Sequence, residues 1–540
     1  MLVKRTAFLI ILARFFQCSQ KLDSRLHHTI MSKLSKNILY NLVGQATLVL
    51  LIFVAVKYVF KQLGEDALGI IYFTATLNIV LISILDKSIS VTTVREVSTH
   101  LNTEPEYIRS FIRSGSLFCW SVYLLFGILV YFGAPILIEK WVNLKSMDSE
   151  TATIILQILG VASLSAFPRS FYASLLRGLQ RMEFNNLIDV TSSGIQQFGI
   201  ILILIYSDNL FYVVCWIASS YGINIIAYFI VSSHFFSIKS MIPGYSPIVI
   251  KRNWGFASNM VYVSMLAMIH NQAEKIMVSK WLPVGALGYY GFTYDMVSKA
   301  GLITSSIAQA ALPSLSILFK AGDRVNLVSQ YIKLQDLICF ITVPLFAAIY
   351  FASLPLFTYL FNAEIANTLF LPITFLCFGF YLNGTLNLQY QLSLAVGKPD
   401  IAVRSNIYAL FILPIIALLI YQFGLAGAGL SWVLFNLFVY IYAVPRVYRE
   451  CIGMPVSVCY SHILKVFILV GLTYGLAWVV IALFGTYSIL LLSITYAIAT
   501  ITFLTGAYFM ISDELRRAIF NHFQVLRNRL NLKQVENISR

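Results

Sequence analysis

Charge is what this chain has least of. Of its 540 residues only 11% are Asp, Glu, Lys or Arg, against 59% hydrophobic, and the mean hydropathy is +0.80. Water-soluble domains carry about a quarter charged residues, so this chain could not cover its surface in water. The several soluble domains that its length would otherwise suggest are excluded. Cysteine chemistry is thin as well. The seven cysteines are an odd number, Cys119, Cys215, Cys339 and Cys377 lie inside apolar runs, and no CxxC or Cys/His ligand spacing occurs. That excludes a disulfide framework and a zinc site. Also missing are the GxxxxGK[ST] phosphate loop, HExxH and the GxSxG elbow, so ATP hydrolysis and common hydrolase chemistry have no carrier, and no cofactor is expected. The net charge of +15 is scattered in twos and threes between apolar runs. With no basic stripe, nucleic acid is not a partner.

Apolar windows of about twenty residues, the length of a helix crossing a bilayer, are abundant. They fall at 38–60, 67–92, 114–135, 151–168, 186–206, 211–235, 254–279, 287–312, 336–352, 367–396, 405–421, 427–445, 466–484 and 486–511. The expectation is an all-α integral membrane protein of about fourteen transmembrane helices. Pro168, Pro313, Pro344, Pro372 and Pro414 lie in or beside these spans as kinks or ends, which membrane bundles tolerate. With the N-terminus in the cytoplasm, 30 Lys and Arg fall in cytoplasmic tails and loops and only Lys61, Lys140, Lys145 and Lys280 outside. This is the positive-inside bias, and a miscount of one span would invert it downstream. It predicts an even number of crossings in the cytoplasmic (inner) membrane with both termini cytoplasmic.

The expected organisation is a cytoplasmic segment over 1–36, helices 1–6 over 37–236, helices 7–12 over 237–450, helices 13 and 14 over 451–511, and a basic cytoplasmic tail over 512–540. Near the start, Lys4 and Arg5 precede a short apolar stretch, Ala7–Leu12, that Arg14 interrupts. The stretch is too short to span and no small-residue cleavage site follows. It reads as an interfacial amphipathic segment, or as sequence upstream of a true start at Met31.

An internal repeat organises the spans. Leu68-Gly69 recurs 219 residues later as Leu287-Gly288, and Ser174-Leu175 with Gly178 recurs at the same offset as Ser393-Leu394 with Gly397. Asn37 and Asn253 open the two halves at a slightly different offset. The repeat predicts two pseudo-symmetric six-helix lobes plus two C-terminal helices. Parallel repeats of this kind are related by an axis along the membrane normal, with a site between them, which is transporter architecture.

Four lysines, Lys57, Lys87, Lys275 and Lys299, fall inside spans. A lysine at mid-bilayer costs roughly 2.5–3.5 kcal/mol on insertion scales, less where it lines a wet cavity or snorkels to the interface. Lys57 and Lys275 lie near the outer ends of the first and seventh spans, so either explanation serves. Lys87 lies toward the inner end of the second span, beside Asp86. Lys299 sits near the middle of the eighth span and is the sharpest candidate. Its alternative role is a structural ion pair with Asp295, four residues earlier on the same face. His270 and Glu274 share a face of the seventh span beside Asn271 and Gln272. That cluster suits a sugar-binding or proton-coupled surface, unless His270 merely packs. The four lysines are thus candidate ligands for an anion, and Asp295, Glu274, Asp86 and His270 are candidates for coupling to H+ or Na+.

Four stretches carry a family resemblance: SKNILYNLVGQ (Ser35–Gln45), LGEDALGIIYF (Leu63–Phe73), LLRGLQRMEFNN (Leu175–Asn186) and LAVGKPDIAVRSN (Leu394–Asn406). Through them the chain resembles the polysaccharide-export, O-antigen-type flippases of the multidrug/oligosaccharidyl-lipid/polysaccharide exporter superfamily, over roughly residues 32–510. The resemblance implies a V-shaped pair of lobes alternating between inward- and outward-facing states. It implies as substrate an oligosaccharide on a polyprenyl-pyrophosphate carrier, bound for surface polysaccharide such as O-antigen or lipopolysaccharide, with a downstream polymerase or export machinery as partner. It also implies cationic residues along the lumen, where this sequence offers lysines rather than arginines. The competing expectations are a multidrug or organic cation exporter of the same superfamily and, from another class, a membrane polymerase or glycosyltransferase.

Overall fold

The structure, a computed structural model, describes residues 24–484, 488–517 and 520. The stretch Ala7–Leu12 and most of the basic tail over 512–540 lie outside the described residues. The described elements are helices: α1 (Ser24–His100), α2 (Pro105–Lys140), α3 (Ser149–Ser163), α4 (Ala166–Gly178), α5 (Met182–Tyr206), α6 (Leu210–Phe235), the four-residue α7 (Ile238–Met241), α8 (Pro247–Trp281), α9 (Val284–Lys320), α10 (Arg324–Leu360), α11 (Ala363–Ala395), α12 (Asp400–Ala409), α13 (Leu413–Val447), α14 (Val456–Val470), α15 (Leu476–Phe484) and α16 (Ile489–Met510). A 3-10 turn, Leu410–Ile412, joins α12 to α13, and π-helical turns follow at Tyr448–Ile452 and Gly471–Gly475.

Eleven described helical stretches are long and apolar enough to cross a membrane. The chain is an all-α, multi-pass membrane protein. Two of the eleven, Thr47–His100 and Asp400–Ile452, run to 54 and 53 residues, roughly 80 Å of helix against a hydrocarbon core of about 30 Å. Each is broken by a glycine: Gly64 at φ 87, ψ 176 in α1 and Gly424 at φ 57, ψ −129 in α13. A residue with a Cβ reaches these angles only under strain. Each break falls in a gap expected between two spans. The α8 helix is not among the eleven; it carries Lys251, Arg252, Glu274, Lys275 and Lys280 toward its two ends.

One expected boundary moves. The fourth span was to end at Pro168, yet the chain breaks earlier, between α3 and α4 around Leu164 and Ser165, and then stays helical to Gly178. A proline in the first turn of a helix needs no N–H, so Pro168 sits comfortably in α4 instead of ending it. Arg169 and Arg177 consequently lie on a candidate membrane helix. The sequence offers lysines as the intramembrane cations; these two arginines join them as charges on a candidate span.

The repeated Leu-Gly pairs meet each other. A Cβ on Gly69 would lie 2.2 Å from the Val284 carbonyl oxygen, and one on Gly288 would lie 2.8 Å from the Gly69 nitrogen. The α1 and α9 backbones therefore cross in direct contact. The second repeated motif slips in register. The left-handed residue that ends the helix is Gln180 in one copy and Gly397 in the other, and the same capping bonds follow them, Arg181 N–H to Leu176 O and Lys398 N–H to Ser393 O. These equivalent positions are 217 residues apart, two fewer than the Leu-Gly pairs.

Candidate functional site

A cavity of about 350 Å³ lies among α1, α3, α5, α6 and α9, at the lower end of the range for small-molecule sites. Most of its wall is aliphatic, from residues such as Ile52, Val56 and Ile200. The polar exceptions include Tyr72, Ser163, Gln196, Gln197, Tyr221, Asp295 and Lys299. On α9 the lining residues Phe292, Asp295, Met296 and Lys299 follow the i, i+3, i+4, i+7 spacing of one helical face. Tyr290, Tyr294 and Val297 point elsewhere and are buried.

The two charges on that face are held differently. Asp295 Oδ1 lies 3.9 Å from Lys275 Nζ, and the Asp295 side chain is 50% exposed whereas that of Lys275 is 7% exposed. Lys275 also stands 3.8 Å from the centre of the Tyr294 ring. A half-exposed carboxylate in the interior of a helix bundle is one that faces a cavity. Lys299 is exposed as well, and no carboxylate lies within ion-pair distance of it among the described residues. The alternative i, i+4 pair between Asp295 and Lys299 gives way to a pair between helices, and the Lys299 ammonium is left facing the cavity.

The remaining candidates stand apart from this cavity. Lys57 Nζ sits 3.1 Å over the Tyr359 ring of α10, so Lys57 and Lys275, near-equivalent under the repeat, each rest on a tyrosine face. Lys87 is exposed and does not line the cavity. Asp86 is half-buried near Ser170, Arg169 and Arg177. Arg169 pairs with Asp189, which also accepts a hydrogen bond from the Tyr228 hydroxyl at 2.9 Å. His270 Nε2 lies 2.7 Å from the Asn406 carbonyl oxygen, and its ring centre lies 4.8 Å from that of Phe435 at a tilt of 35°. Glu274 is 2% exposed with Oε1 unpartnered. Sequence reading missed Gln196 and Gln197, because uncharged amides in an apolar window give no cost signal comparable to a lysine.

Contacts grip α8 at both ends. At one end Arg252 bonds Glu104 at 2.7 and 3.1 Å, Arg95 Nη2 donates to Asn253 Oδ1 at 3.0 Å, and Ser88 Oγ donates to the Ala257 carbonyl at 2.8 Å. At the other, Trp141 Nε1 donates to Ser279 Oγ at 3.0 Å, Asn143 Nδ2 to the Lys280 carbonyl at 2.8 Å, and Val284 N–H to the Asn143 carbonyl at 2.9 Å. Asp66 Oδ2 nearby collects the backbone N–H groups of Lys145, Ser146 and Met147.

Residues 34–319 match the family model described as polysaccharide biosynthesis protein. The chain belongs to this family. The polysaccharide biosynthesis protein family is one of membrane transporters rather than enzymes, and one sequence relative and two solved structures resemble the chain. A Shigella flexneri protein assigned as an O-antigen transporter is 22% identical over 409 residues, covering 74% of this chain and 93% of that protein. The inward closed conformation of the lipid II flippase MurJ superposes with a TM-score of 0.63 at 15% identity, covering 87% of this chain and 99% of MurJ. The inward-facing conformation of a multidrug resistance MATE transporter of the MOP superfamily gives 0.61 at 11% identity, covering 74% and 94%. This family member thus shares the fold of solved MOP-superfamily transporters and is similar in sequence to an O-antigen transporter.

Proposed function

We propose that this protein is a flippase that moves a polyprenyl-pyrophosphate-linked oligosaccharide from the cytoplasmic to the outer leaflet for surface polysaccharide assembly. The observation that carries the reading is Lys299, an unpaired ammonium facing a cavity near the middle of α9. Such a group is stabilised by an anion and has no use for an apolar cation. A role in polysaccharide biosynthesis, which the family description states, supports such a cargo.

In this reading the chain makes fourteen crossings, with α1–α6 and α8–α13 as two six-helix lobes and α14–α16 as the appended pair, both termini cytoplasmic. The breaks at Gly64 and Gly424 and the meeting of the two Leu-Gly pairs support it. The Arg252–Glu104 contacts then form the cytoplasmic closure, and the Trp141–Ser279 contacts with the Gly69–Gly288 crossing form the outer one. Alternating access requires each to open in turn. Lys275 holds Asp295, and these two with the enclosed Glu274 are the elements for coupling to H+ or Na+. Lys57, Lys87, Asp86 and His270 are secondary.

A second reading, export of organic cations, is favoured by one observation: the half-exposed carboxylate of Asp295 shares the cavity. Proteoliposomes separate the two. Wild type should translocate a polyprenyl-pyrophosphate sugar, Lys299→Ala should abolish translocation and Lys299→Arg should keep part of it. Export of an organic cation that depends on Asp295 and not on Lys299, with no lipid moved, would overturn the flippase reading in favour of the second.

A further inference from the structure

Gln196 and Gln197 stand in the middle of the 25-residue α5, where a bilayer would offer their amides nothing to bond. Both line the cavity. Among the described residues neither carboxamide bonds another protein group. The one recorded bond at Gln196 is to its backbone carbonyl, from Trp216 Nε1 at 3.1 Å. Neighbouring helical residues diverge by about 100°, so two consecutive side chains reach one cavity only where it wraps around the helix. Their placement is fixed. The Trp216 ring lies so close to Gly199 that a Cβ there would come within 2.1 Å of it, and the indole bond ties α6 to the same turn of α5. Ser163, by contrast, is already engaged: it accepts from Asn78 at 2.8 Å and donates to the Gly160 carbonyl at 3.1 Å.

Chemistry selects the ligand. A carboxamide offers two donors and an acceptor, and a hydroxyl both donates and accepts, whereas phosphate oxygens accept only and an ammonium donates only. Paired amides therefore complement a polyhydroxylated surface better than either charge. Tyr72 adds an aromatic surface: its ring lies against Gly291, where a Cβ would come within 2.6 Å of it. An aromatic with a polar tip suits a sugar ring, which has C–H faces and a hydroxyl rim. The cavity thus has one wall of amides on α5 and one of charges on α9.

We propose that Gln196 and Gln197, with Tyr72, form a glycan subsite that recognises the hydroxyl groups of the first sugar of the cargo, while Lys299 on the facing helix takes the pyrophosphate. The proposal rests on the flippase reading and makes the amides specificity-determining residues.

The test is competition in proteoliposomes. Translocation of a labelled polyprenyl-pyrophosphate N-acetylhexosamine is measured, together with its inhibition by the sugar-free polyprenyl pyrophosphate. For Gln196→Ala/Gln197→Ala the half-saturating concentration of the sugar lipid should rise about tenfold, as expected for two lost hydrogen bonds. The inhibition constant of the sugar-free lipid should stay within about twofold. Gln197→Asn, which keeps an amide, should retain part of the affinity and guards against misfolding of the double variant. Equal weakening of both lipids, or no change for either, would overturn the glycan subsite and leave the flippase reading intact. Failure of wild type to move or bind either lipid would remove both.

Discussion

At the scale of single residues, the decisive arrangement is the triangle of Asp295, Lys275 and the Tyr294 ring, with Lys299 left over. Local rules pair Asp295 with Lys299, because side chains four apart on a helix are neighbours. Lys275 instead approaches from α8, nearly fully buried, and a buried ammonium without a counter-charge is far more costly than one that faces water. The buried lysine takes the carboxylate and the wet one is left free. Lys275→Met should therefore lower translocation at least about tenfold, and the double variant Lys275→Met/Asp295→Asn should recover part of it. Removal of one member of a pair strands the other, whereas removal of both does not. Transport rates of the four members of that cycle are the measurement, and additive losses would argue against the pair.

Glu104 makes a second prediction at this scale. The hydrogen bond from Arg252 holds its carboxyl below the ordinary value. A depressed carboxylate contributes its stabilisation above the ordinary pKa of about 4.3 and loses it as pH falls through the lowered value. Spin labels at Glu106 and Lys251 should hold one separation from pH 8 to pH 5 and spread only in stronger acid, whereas Glu104→Gln should spread them throughout. Spreading already at pH 6 would show that the Glu104 carboxylate is not what holds the closure.

Helices and their crossings are the next scale. Gly69 leaves no room for a side chain, since the nearest obstacle is the Val284 backbone rather than a movable tip. Gly69→Ala should force α1 and α9 apart at a cost of about 1–3 kcal/mol and loosen the outer closure. Met296→Cys in a cysteine-free background should then react several-fold faster with an impermeant maleimide added outside. Gly133→Ala, with nothing within 4 Å of its added Cβ, should change nothing. The Leu-Gly repeat was visible in the sequence as a periodicity. That its two copies touch was not, because spacing along a chain carries no information about which faces meet. The fourth span shows the converse limit. Pro168 reads as a helix end from residue type alone, but the chain had already broken at Ser165, which made the proline a first-turn residue.

For the whole molecule, in the flippase reading, the α8 contacts at both ends and the small cavity describe a closed state. A glycan on a lipid carrier needs more room than about 350 Å³, so that reading requires the two ends to part. A reducible bis-maleimide cross-link between Trp141→Cys and Ser279→Cys, whose native side chains meet at 3.0 Å, should arrest translocation and release it on reduction. Undiminished transport in the cross-linked protein would show that the outer end does not open. Tags at both termini should be reached by protease only from the cytoplasmic side, which tests the positive-inside assignment independently of the cargo.

By itself the sequence determined the solvent and the helical class, because burial of backbone polar groups in lipid leaves a chain this apolar no other choice. It also singled out Lys299, because a charge at mid-span is costly enough to stand out from twenty apolar neighbours. Tertiary structure alone decided that Asp295 pairs with Lys275, that Lys57 rests on Tyr359, that Lys87 and His270 stay away from the cavity, and that Gln196 and Gln197 reach it. Each of those outcomes depends on which helix faces which across tens or hundreds of residues, a packing choice made jointly by all the helices and written in no local stretch of chain.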